Sequence, residues 1–413
     1  MSSSYRDIFM YFYLTMMEVV LHDRALWRDD LLPLSYTRPV GNLRIGALTL
    51  DEKWRHIFGT QVHFYTEPYL QEKFPAPQLD AANSYLVIRA NLIPDAAFVA
   101  SLKQLAVGSM LVQGDHWLAY HTGSWEEAPD LSLLKSETYT KALDALTYPE
   151  DIFLLNAAQI KFDYDLLVAD KLSAALSPTN TLLGDKLFLG ARVFAECCTF
   201  NTLEGPIYID DDAIIEEGSN LRGPIAIGKH ARVKMGSKLY PNVTVGPGST
   251  IAGEVNNAVL WGNASKGHDG YLGCSVLGEG CNIGGGSANS NMQNNWKAVS
   301  LYNYSKHAYR NTGKLKIGLF MGDYAMCGIN SSITTGCVIG VGAQLAISTI
   351  IPKFVPDFLW QTDSKKEAYQ WPKFEKMMEQ RALLRKEACA ETTLKILWQV
   401  FVKANHGNEK NIK

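Results

Sequence analysis

The amino-acid sequence predicts a small α/β domain, then a parallel β-helix, then a C-terminal helix. Three observations indicate this order. Short apolar runs alternate with stretches of helical periodicity in the first third, large aliphatic residues recur every six residues in the second half, and helical periodicity returns near the end. A chain of 413 residues is long enough for two or three such domains.

The composition is that of a folded protein without a polyanionic partner. Hydrophobic residues make up 47% and charged residues 20% of the chain, so a buried core is expected rather than disorder. The formal net charge of −3 provides no attraction to nucleic acid or to an anionic membrane. The seven cysteines, an odd count with no C-x-x-C pair, predict packed free thiols rather than disulfides or a zinc site.

The first residues predict neither a signal peptide nor a membrane anchor. The apolar run Phe9–Met17 is ended by Glu18, and no small-residue cleavage pattern follows it. Because a strand begins naturally at Met17, residues 1–16 are interpreted as an extension from an upstream start codon. No other stretch is long and apolar enough to span a bilayer, and we expect a cytoplasmic protein.

Residues 17–150 predict a small α/β domain. Alternating strands and helices indicate a mostly parallel sheet. Strands are expected at 19–21, 61–65, 85–88 and 110–113, and helices at 48–58 and 96–105. Residues 151–185, which include the loop signal Ser177-Pro178-Thr179-Asn180, are interpreted as a connector.

The strongest pattern lies in residues 186–352. A period of six fits neither an α-helix nor an alternating strand, but it fits a triangular solenoid in which each hexad forms one flat side. The aliphatic residue points inward and stacks on its counterpart in the next coil. The uninterrupted positions are Ile209, Ile215, Leu221, Ile227, Val233, Leu239, Val245 and Ile251. The pattern resumes at Leu277 and Ile283, and again at Met321, Cys327, Ile333, Ile339, Leu345 and Ile351.

Residues 353–413 predict a helical tail. One helix is expected from Pro372 onward, with an apolar face that packs on the end of the solenoid or on a neighbouring chain. Lys and Glu are mixed on its polar face, which argues against a helix lying on a membrane.

The two breaks in the repeat are the candidate positions for a site, because a coil that gains residues must loop outward from a rigid scaffold. The first break contains Lys266-Gly267-His268-Asp269-Gly270-Tyr271-Leu272-Gly273, and Asn282-Ile283-Gly284 and Asn291 follow it. The second break, residues 290–316, holds Trp296, Tyr302, Tyr304, His307, Tyr309 and Arg310. We expect it to form either a lid over the site or a packing surface for the next subunit.

The stretch 265–291 resembles the acetyltransferase half of the bacterial bifunctional N-acetylglucosamine-1-phosphate uridyltransferase/glucosamine-1-phosphate acetyltransferase family. That family combines a K-x-G-H-x-x-Y-L-G segment, an N-I-G-x-G segment and a later asparagine. The resemblance implies a left-handed β-helix, a homotrimer, acetyl-CoA as co-substrate and a place in UDP-N-acetylglucosamine biosynthesis. It covers roughly the second half of the chain.

The resemblance also implies a role for each matching residue. His268 would be the general base, since imidazole has a pKa near working pH. The sugar phosphate would be bound, and its amine oriented, by Lys266, Tyr271, Asn282 and Asn291. The backbone amides near Gly285 would stabilise the oxyanion. Taken singly, His268 reads as a turn histidine, Lys266 as a solvated loop charge and Tyr271 as packing between coils.

The sequence departs from the family at three polar positions. Tyr240 stands where the family has the arginine of an L-R-P segment, Asn256 or Asn257 where it has a lysine, and Met292 where it has a tyrosine. Lys238 and Arg222 are the candidates to replace the lost phosphate contacts.

The segment Leu32–Pro39, followed by Leu43–Gly46, looks like a degenerate nucleotidyltransferase opening, in which a turn cradles triphosphate. The resemblance implies that Arg38 and Arg44 bind nucleotide phosphate, with Mg²⁺ assisting nucleotidyl transfer. The alternative is a pair of arginines that stabilises the fold around Pro39. Gly114-Asp115 is the only candidate Gly-Asp pair for the metal, and it is better explained as a surface turn, so no protein metal site is predicted.

Three functions follow from these patterns. The first is a transferase of amino-sugar nucleotide synthesis that acetylates an amino-sugar phosphate at the β-helix and transfers a nucleotidyl group to a sugar 1-phosphate at the N-terminal domain. The second is a nucleotidyltransferase whose β-helix only trimerises. The third is a non-catalytic sugar-nucleotide-binding protein. In each, the partners are a sugar phosphate and a nucleotide, with neither nucleic acid nor membrane involved.

Overall fold

The fold was described from a computed structural model that covers residues 16–78, 83–385 and 389–408. Residues 1–15 of the expected extension and residues 409–413 lie outside the described range. The predicted fold class is confirmed: an α/β domain is followed by a parallel β-solenoid and by C-terminal helices.

The α/β domain is built on a mixed sheet with strand order β4-β1-β5-β7-β6-β8. Its elements are β1 (Met16–His22), β2 (Arg44–Ile45), β3 (Leu48–Thr49), α1 (Leu50–Phe58), β4 (Val62–Tyr65), β5 (Asn83–Arg89), α2 (Ala96–Gln104), β6 (Ser109–Gln113), β7 (His116–Thr122), β8 (Lys135–Thr138) and α3 (Pro149–Val168).

Strand β1 pairs in parallel with β4 and β5, whereas β7 is antiparallel to β5 and β6. The sequence did not predict β7. The tight turn at Gly114, with φ of 57°, folds β6 and β7 into a hairpin, which makes the expected mostly parallel sheet a mixed one.

Helix α3 fastens the α/β domain to the solenoid. Asp163 forms a buried ion pair with Lys53 of α1, and its other oxygen accepts the amide of Ala47 at 2.8 Å. On the solenoid side, Asn242 Nδ2 donates to the carbonyl of Phe153 at 2.7 Å. About half of the segment expected as a connector is therefore a helix with partners in both domains.

The solenoid strands, numbered in chain order, stack in three columns. One column holds β10 (Leu187–Leu189), β13 (Ile207–Ile209), β16 (Ile225–Ile227), β19 (Val243–Val245), β28 (Leu319–Met321), β31 (Cys337–Ile339) and β33 (Phe354–Val355). The second holds β11 (Phe194–Ala195), β14 (Ile214–Ile215), β17 (Arg232–Val233), β20 (Thr250–Ile251), β22 (Ser265–Lys266), β24 (Asn282–Ile283), β29 (Met326–Cys327), β32 (Gln344–Ala346) and β34 (Leu359–Thr362). The third holds β9 (Thr181–Leu183), β12 (Thr199–Asn201), β15 (Asn220–Arg222), β18 (Lys238–Leu239), β25 (Ala288–Asn289) and β30 (Ser332–Ile333).

Two long strands, β21 (Glu254–Leu260) and β23 (Tyr271–Leu277), run from the third column into the first. Short β35 (Lys366–Ala368) pairs antiparallel with β34. The predicted ladder positions are all buried, with none more than 4% exposed. Their inward stacking is the expected result of a six-residue period in a parallel solenoid.

The 290–316 insertion contains a hairpin of β26 (Ser300–Asn303) and β27 (Ala308–Asn311) that packs against the α/β domain of its own chain. Arg310 Nη2 contacts both carboxylate oxygens of Glu150 at 2.6 Å, and its guanidinium lies 3.6 Å from the ring centre of Tyr148. The hairpin is therefore anchored on its own α/β domain, and its expected role as a lid or as a packing surface for another subunit stays a prediction.

The helical tail expected from Pro372 onward is confirmed, and it consists of two helices, α4 (Trp371–Arg385) and α5 (Glu391–Asn408). They pack on the solenoid end through an aromatic cluster in which the Phe358 ring lies 4.9 Å from Phe374 and 5.2 Å from Phe401. In the part of the chain that the structure describes, no helix combines the length and the apolarity that crossing a bilayer requires.

Asp357 is buried where the solenoid, the hairpin and the α/β domain meet. Its Oδ1 accepts the amide of Val341 at 2.7 Å and the hydroxyl of Tyr304 at 3.2 Å. The ring of Tyr36, from the α/β domain, lies 5.7 Å from that of Tyr304. Burial raises the pKa of this carboxyl group to about 7.

We expect Asp357→Asn to stabilise the protein by a clearly larger amount at pH 8 than at pH 5. The pKa of Asp357 lies above its ordinary value of 3.8 in the folded state, so the stability that its proton supplies is lost as pH rises from about 4 to about 7. Asparagine keeps an acceptor for Val341 without a charge. At about 1.4 kcal/mol per pKa unit, the free energy of unfolding at pH 8 should rise by roughly 2–4 kcal/mol. Denaturant unfolding of the parent protein and the variant at pH 5 and pH 8 measures the free energy of unfolding. An equal difference between the two proteins at both pH values would contradict the prediction.

Candidate functional site

His268 lies on an exposed corner of the solenoid, residues 267–270, between β22 and β23. Gly285 occupies the corresponding corner of the next coil. A Cβ added at Gly285 would lie 3.4 Å from both Cβ and Cγ of His268, so the imidazole rests against the glycine backbone. The corner therefore presents a ring that solvent and ligand can reach.

Tyr271 and Asn291 are brought together beside this corner. Asn291 Nδ2 donates to the Tyr271 hydroxyl at 2.9 Å and to Cys274 Sγ at 3.5 Å. Burial raises the pKa of Tyr271, while the hydrogen bond from Asn291 lowers it. The phenol therefore stays protonated at neutral pH and can donate to a ligand.

Gly285 supplies an amide that is available to a ligand. The amide of Gly284 donates to Cys327 and that of Gly286 donates to Asp269, at 3.0 and 3.1 Å. The Gly285 amide donates no hydrogen bond within the part of the chain that the structure describes. Its neighbour Asn282 is exposed on β24, in register with Ser265 of the coil that carries His268.

Lys266 is not placed to bind substrate. Its side chain is 1% exposed, and Nζ donates to the backbone carbonyl of His268. The expected substrate-binding role and the solvated alternative are both inconsistent with this burial. The side chain faces inward because β22 alternates, with Ser265 half-buried and Lys266 inside.

A surface cavity of about 320 Å³ adjoins the His268 corner. Gly236, Gly253 and Gly270 line it from three successive coils. Its walls are Lys238, Glu254, Asp269 and Tyr271. Lys238, Glu254 and Tyr271 are register partners in three successive coils, so a cation, a carboxylate and a phenol form one row.

Arg38 lies buried at the junction of the two domains. Its Nη2 contacts Glu279 at 3.0 Å and also Asp323, and its guanidinium stacks 3.6 Å from the ring centre of Trp261. The charge is satisfied by two carboxylates of the solenoid. These contacts favour the alternative in which Arg38 stabilises the fold.

Arg44 is also engaged at this junction. Its Nε donates to the carbonyl of Trp261 at 2.7 Å, and Nη1 lies 3.5 Å from Glu52. Arg44 also lines a cavity of about 210 Å³ between α1 and the solenoid. Its side chain is 5% exposed, so a phosphate group would have to displace these partners.

Two arginines that the sequence argument did not select lie at the carboxyl edge of the sheet. Arg89 ends β5, with its guanidinium 5.1 Å from the ring centre of Trp27, and Arg24 follows β1 and donates to the Tyr65 hydroxyl at 3.1 Å. Between them, burial lowers the pKa of His22 to about 4, and the charges of Arg24 and Arg89 add to this shift. The edge therefore carries two cations without a protonated histidine, and Glu127 Oε2 lies 3.9 Å from Arg24 Nη1.

The strand order explains why this edge is significant. The chain passes from β1 outward to β4 and then returns past β1 to β5, so β1 and β5 flank a topological switch point. Ligands of open α/β sheets bind at the carboxyl ends of strands at such a point. A search of the first few residues after the predicted parallel strands at 19–21 and 85–88 would have identified Arg24 and Arg89.

The described residues do not form a protein-held metal site. Within the described ranges no three His, Cys, Asp or Glu side chains are grouped to hold a metal ion. Asp115 is exposed in the β6–β7 turn, in agreement with the surface-turn interpretation.

Comparison with known proteins gives matches to both halves of the chain. Residues 19–171 match the family model described as sugar nucleotidyl transferase. The bifunctional sugar-1-phosphate nucleotidylyltransferase/acetyltransferase of Sulfurisphaera tokodaii is 29% identical over 251 residues, which is 55% of this chain and 61% of that protein. The bifunctional protein GlmU of Methanocaldococcus jannaschii is 34% identical over 171 residues, 39% of this chain and 41% of that protein.

Among solved structures, that of the Arabidopsis UDP-N-acetylglucosamine acyltransferase covers 58% of this chain and 98% of its own, at 11% identity and a TM-score of 0.29. The alignments with the two curated relatives span about three fifths and about two fifths of those proteins. Residues 19–171 are therefore similar to sugar nucleotidyl transferase domains, and the chain is similar to bifunctional sugar nucleotidyltransferase/acetyltransferase proteins of the GlmU type.

Proposed function

We propose that the solenoid transfers an acetyl group from acetyl-CoA to the amine of an amino-sugar phosphate. The observation that carries the proposal is the exposed imidazole of His268 lying against the backbone of Gly285, whose amide donates no hydrogen bond among the described residues; the hydrogen-bonded pair of Tyr271 and Asn291 lies at the strand that follows this corner. The names of the two curated relatives support the reaction class.

The chemistry follows from these positions. His268 removes a proton from the acceptor amine as its nitrogen attacks the thioester carbonyl carbon. The Gly285 amide donates to the oxyanion of the tetrahedral intermediate, where fixed donors stabilise developing charge. The C–S bond then breaks, the C–N bond remains, and the coenzyme leaves as a thiolate that takes up a proton.

The cavity of about 320 Å³ beside the His268 corner is the proposed acceptor site. Its carboxylates, Glu254 and Asp269, attract an amino group, and Lys238 at the other end attracts a phosphate. Arg222 lies on the same column and lines an adjoining cavity of about 240 Å³ with Lys238. Because the acceptor cavity is open on its outer side, we propose a homotrimer in which a neighbouring subunit closes it.

Release of free thiol from acetyl-CoA tests the proposal directly. The purified chain is incubated with acetyl-CoA and, in turn, glucosamine 1-phosphate, glucosamine 6-phosphate and glucosamine. We expect thiol release and an N-acetylated product with a phosphorylated acceptor. If no amino sugar is acetylated but a nucleotidyl group is transferred to a sugar 1-phosphate, the protein is a nucleotidyltransferase with a structural β-helix. If ligands bind and neither reaction occurs, it is a non-catalytic binding protein.

For the α/β domain we propose a nucleotide site at the carboxyl edge of β1 and β5, serving nucleotidyl transfer to a sugar 1-phosphate. The family match at residues 19–171 and the arginine pair at the switch point support it. Arg24 and Arg89 would bind the phosphates, in place of Arg38 and Arg44, which the solenoid engages. The two proposed reactions draw on acetyl-CoA and on nucleoside triphosphates, which supports a cytoplasmic location.

We expect Arg89→Ala to weaken nucleotide binding by about 10–100-fold, since hydrogen bonds to a charged group contribute about 1.5–3 kcal/mol. Calorimetric titration with UTP and dTTP measures the dissociation constants. Lys103→Ala, an exposed cation at the far end of α2, is the matched control and should bind like the parent protein. Unchanged affinity in Arg89→Ala would place the nucleotide elsewhere.

A further inference from the structure

Lys266 occupies a position that the fold reserves for aliphatic side chains. Register pairing in the second column joins Ile215 to Val233, Val233 to Ile251, and Ile251 to Lys266. On the other side, the pairing of Ser265 with Asn282 aligns Lys266 with Ile283. One lysine thus interrupts an apolar ladder, in the same coil that carries His268.

The buried ammonium group has a specific backbone partner. Nζ donates to the carbonyl of His268, two residues along the chain. The corner closes tightly over it at Gly270, which has φ of 125° and where an added Cβ would lie 2.0 Å from the Ser287 carbonyl oxygen and 3.4 Å from Lys266 Nζ. The lysine, the corner backbone and the next coil are therefore packed into one unit.

This arrangement is costly for stability alone. Transfer of an ammonium group out of water is unfavourable, and an aliphatic residue would fill the same ladder position without that cost. Burial lowers the pKa of Lys266 to about 8, against the opposing charge of Asp269. Local violations of the packing pattern are expected where function requires them.

We propose that Lys266 is a positioning residue that fixes the backbone of the 267–270 corner, and through it the imidazole of His268, without contacting substrate. The inference rests on the proposed acetyl transfer for its kinetic consequence, but its structural consequence is independent of any reaction. From the solenoid interior, the Lys266 side chain holds the backbone carbonyl of His268 in place by a hydrogen bond.

The test compares Lys266→Met with Ile251→Met, the matched change one coil away in the same ladder. We expect Lys266→Met to melt at or above the temperature of the parent protein, because it restores an apolar ladder. Its amides at 267–273 should exchange with deuterium at least about tenfold faster, and kcat for acetyl transfer should fall about 10–100-fold, as displaced catalytic groups do. KM for acetyl-CoA should stay within about twofold, and Ile251→Met should change neither exchange nor kcat.

The outcomes separate this inference from the proposed function. Faster amide exchange of Lys266→Met confined to residues 267–273 supports the positioning role even if the parent protein acetylates nothing, in which case only the proposed function fails. Unchanged amide exchange in this segment overturns the positioning role. A lower melting temperature with faster amide exchange throughout the solenoid also overturns it, since that is the result expected of a purely structural lysine.

Discussion

Replacement of His268 by alanine should lower kcat for acetyl transfer by about 10²–10⁴-fold, the range that a positioned general base supplies. The imidazole is exposed on its corner and packs mainly on Gly285, so its removal should leave the melting temperature nearly unchanged. The nucleotide affinity of the α/β domain should also be unaffected. Thiol release at saturating acetyl-CoA, with calorimetric titration of nucleotide, measures both quantities.

His230→Ala is the matched control for this experiment. His230 also lies on an exposed corner of the solenoid, two coils before the candidate site, and its side chain is 63% exposed. The His230→Ala protein should acetylate at the rate of the parent protein. Added imidazole should restore part of the activity of His268→Ala, because it can enter the open cavity and accept the proton. Equal kcat in His268→Ala and the parent protein would rule out this residue as the base.

Arg38→Met should destabilise the protein by about 3–5 kcal/mol, the cost of removing one partner from a buried ion pair. Methionine keeps most of the stacking on Trp261 but leaves Glu279 and Asp323 without their cation. The second of these is 2% exposed, so its charge would be poorly solvated. Denaturant unfolding measures the loss of free energy.

Two further variants identify the cause. Arg38→Met combined with Asp323→Asn should recover part of the lost stability, since the stranded charge is removed. Arg24→Met, which alters a cation at the exposed edge, should unfold like the parent protein and bind nucleotide more weakly. A stable Arg38→Met protein that no longer binds nucleotide would instead favour the phosphate-binding role for Arg38.

The aliphatic ladder shows how far sequence reasoning reaches. Side chains such as Ile227 and Leu345 could be assigned to the interior because a parallel solenoid converts a fixed sequence period directly into a fixed position in space. The same argument placed His268 on a looped-out corner, beside Tyr271. It did not show that Lys266 points inward, because the breaks in the repeat obscure which residues of that coil continue the ladder.

The α/β domain shows where sequence reasoning stops. Arg38 and Arg44 lie in the segment that resembles a nucleotidyltransferase opening, and that resemblance implied a phosphate site. Their guanidinium groups are turned toward the solenoid by Trp261, Glu279 and Asp323, residues more than two hundred positions away. Arg24 and Arg89 were not selected from the sequence, because their positions at the same edge of the sheet depend on the strand order.

The sequence by itself determined the solenoid, the order of the domains and the corner that carries His268, because each depends on short-range periodicity or on a local motif. Tertiary structure alone decided which arginines face solvent, where the hairpin of the 290–316 insertion packs, and which partner the buried ammonium of Lys266 finds. Those outcomes depend on contacts between segments that are distant in the sequence. A charged side chain is buried there only where another segment supplies a partner that offsets its desolvation cost, and a local sequence pattern does not contain that information.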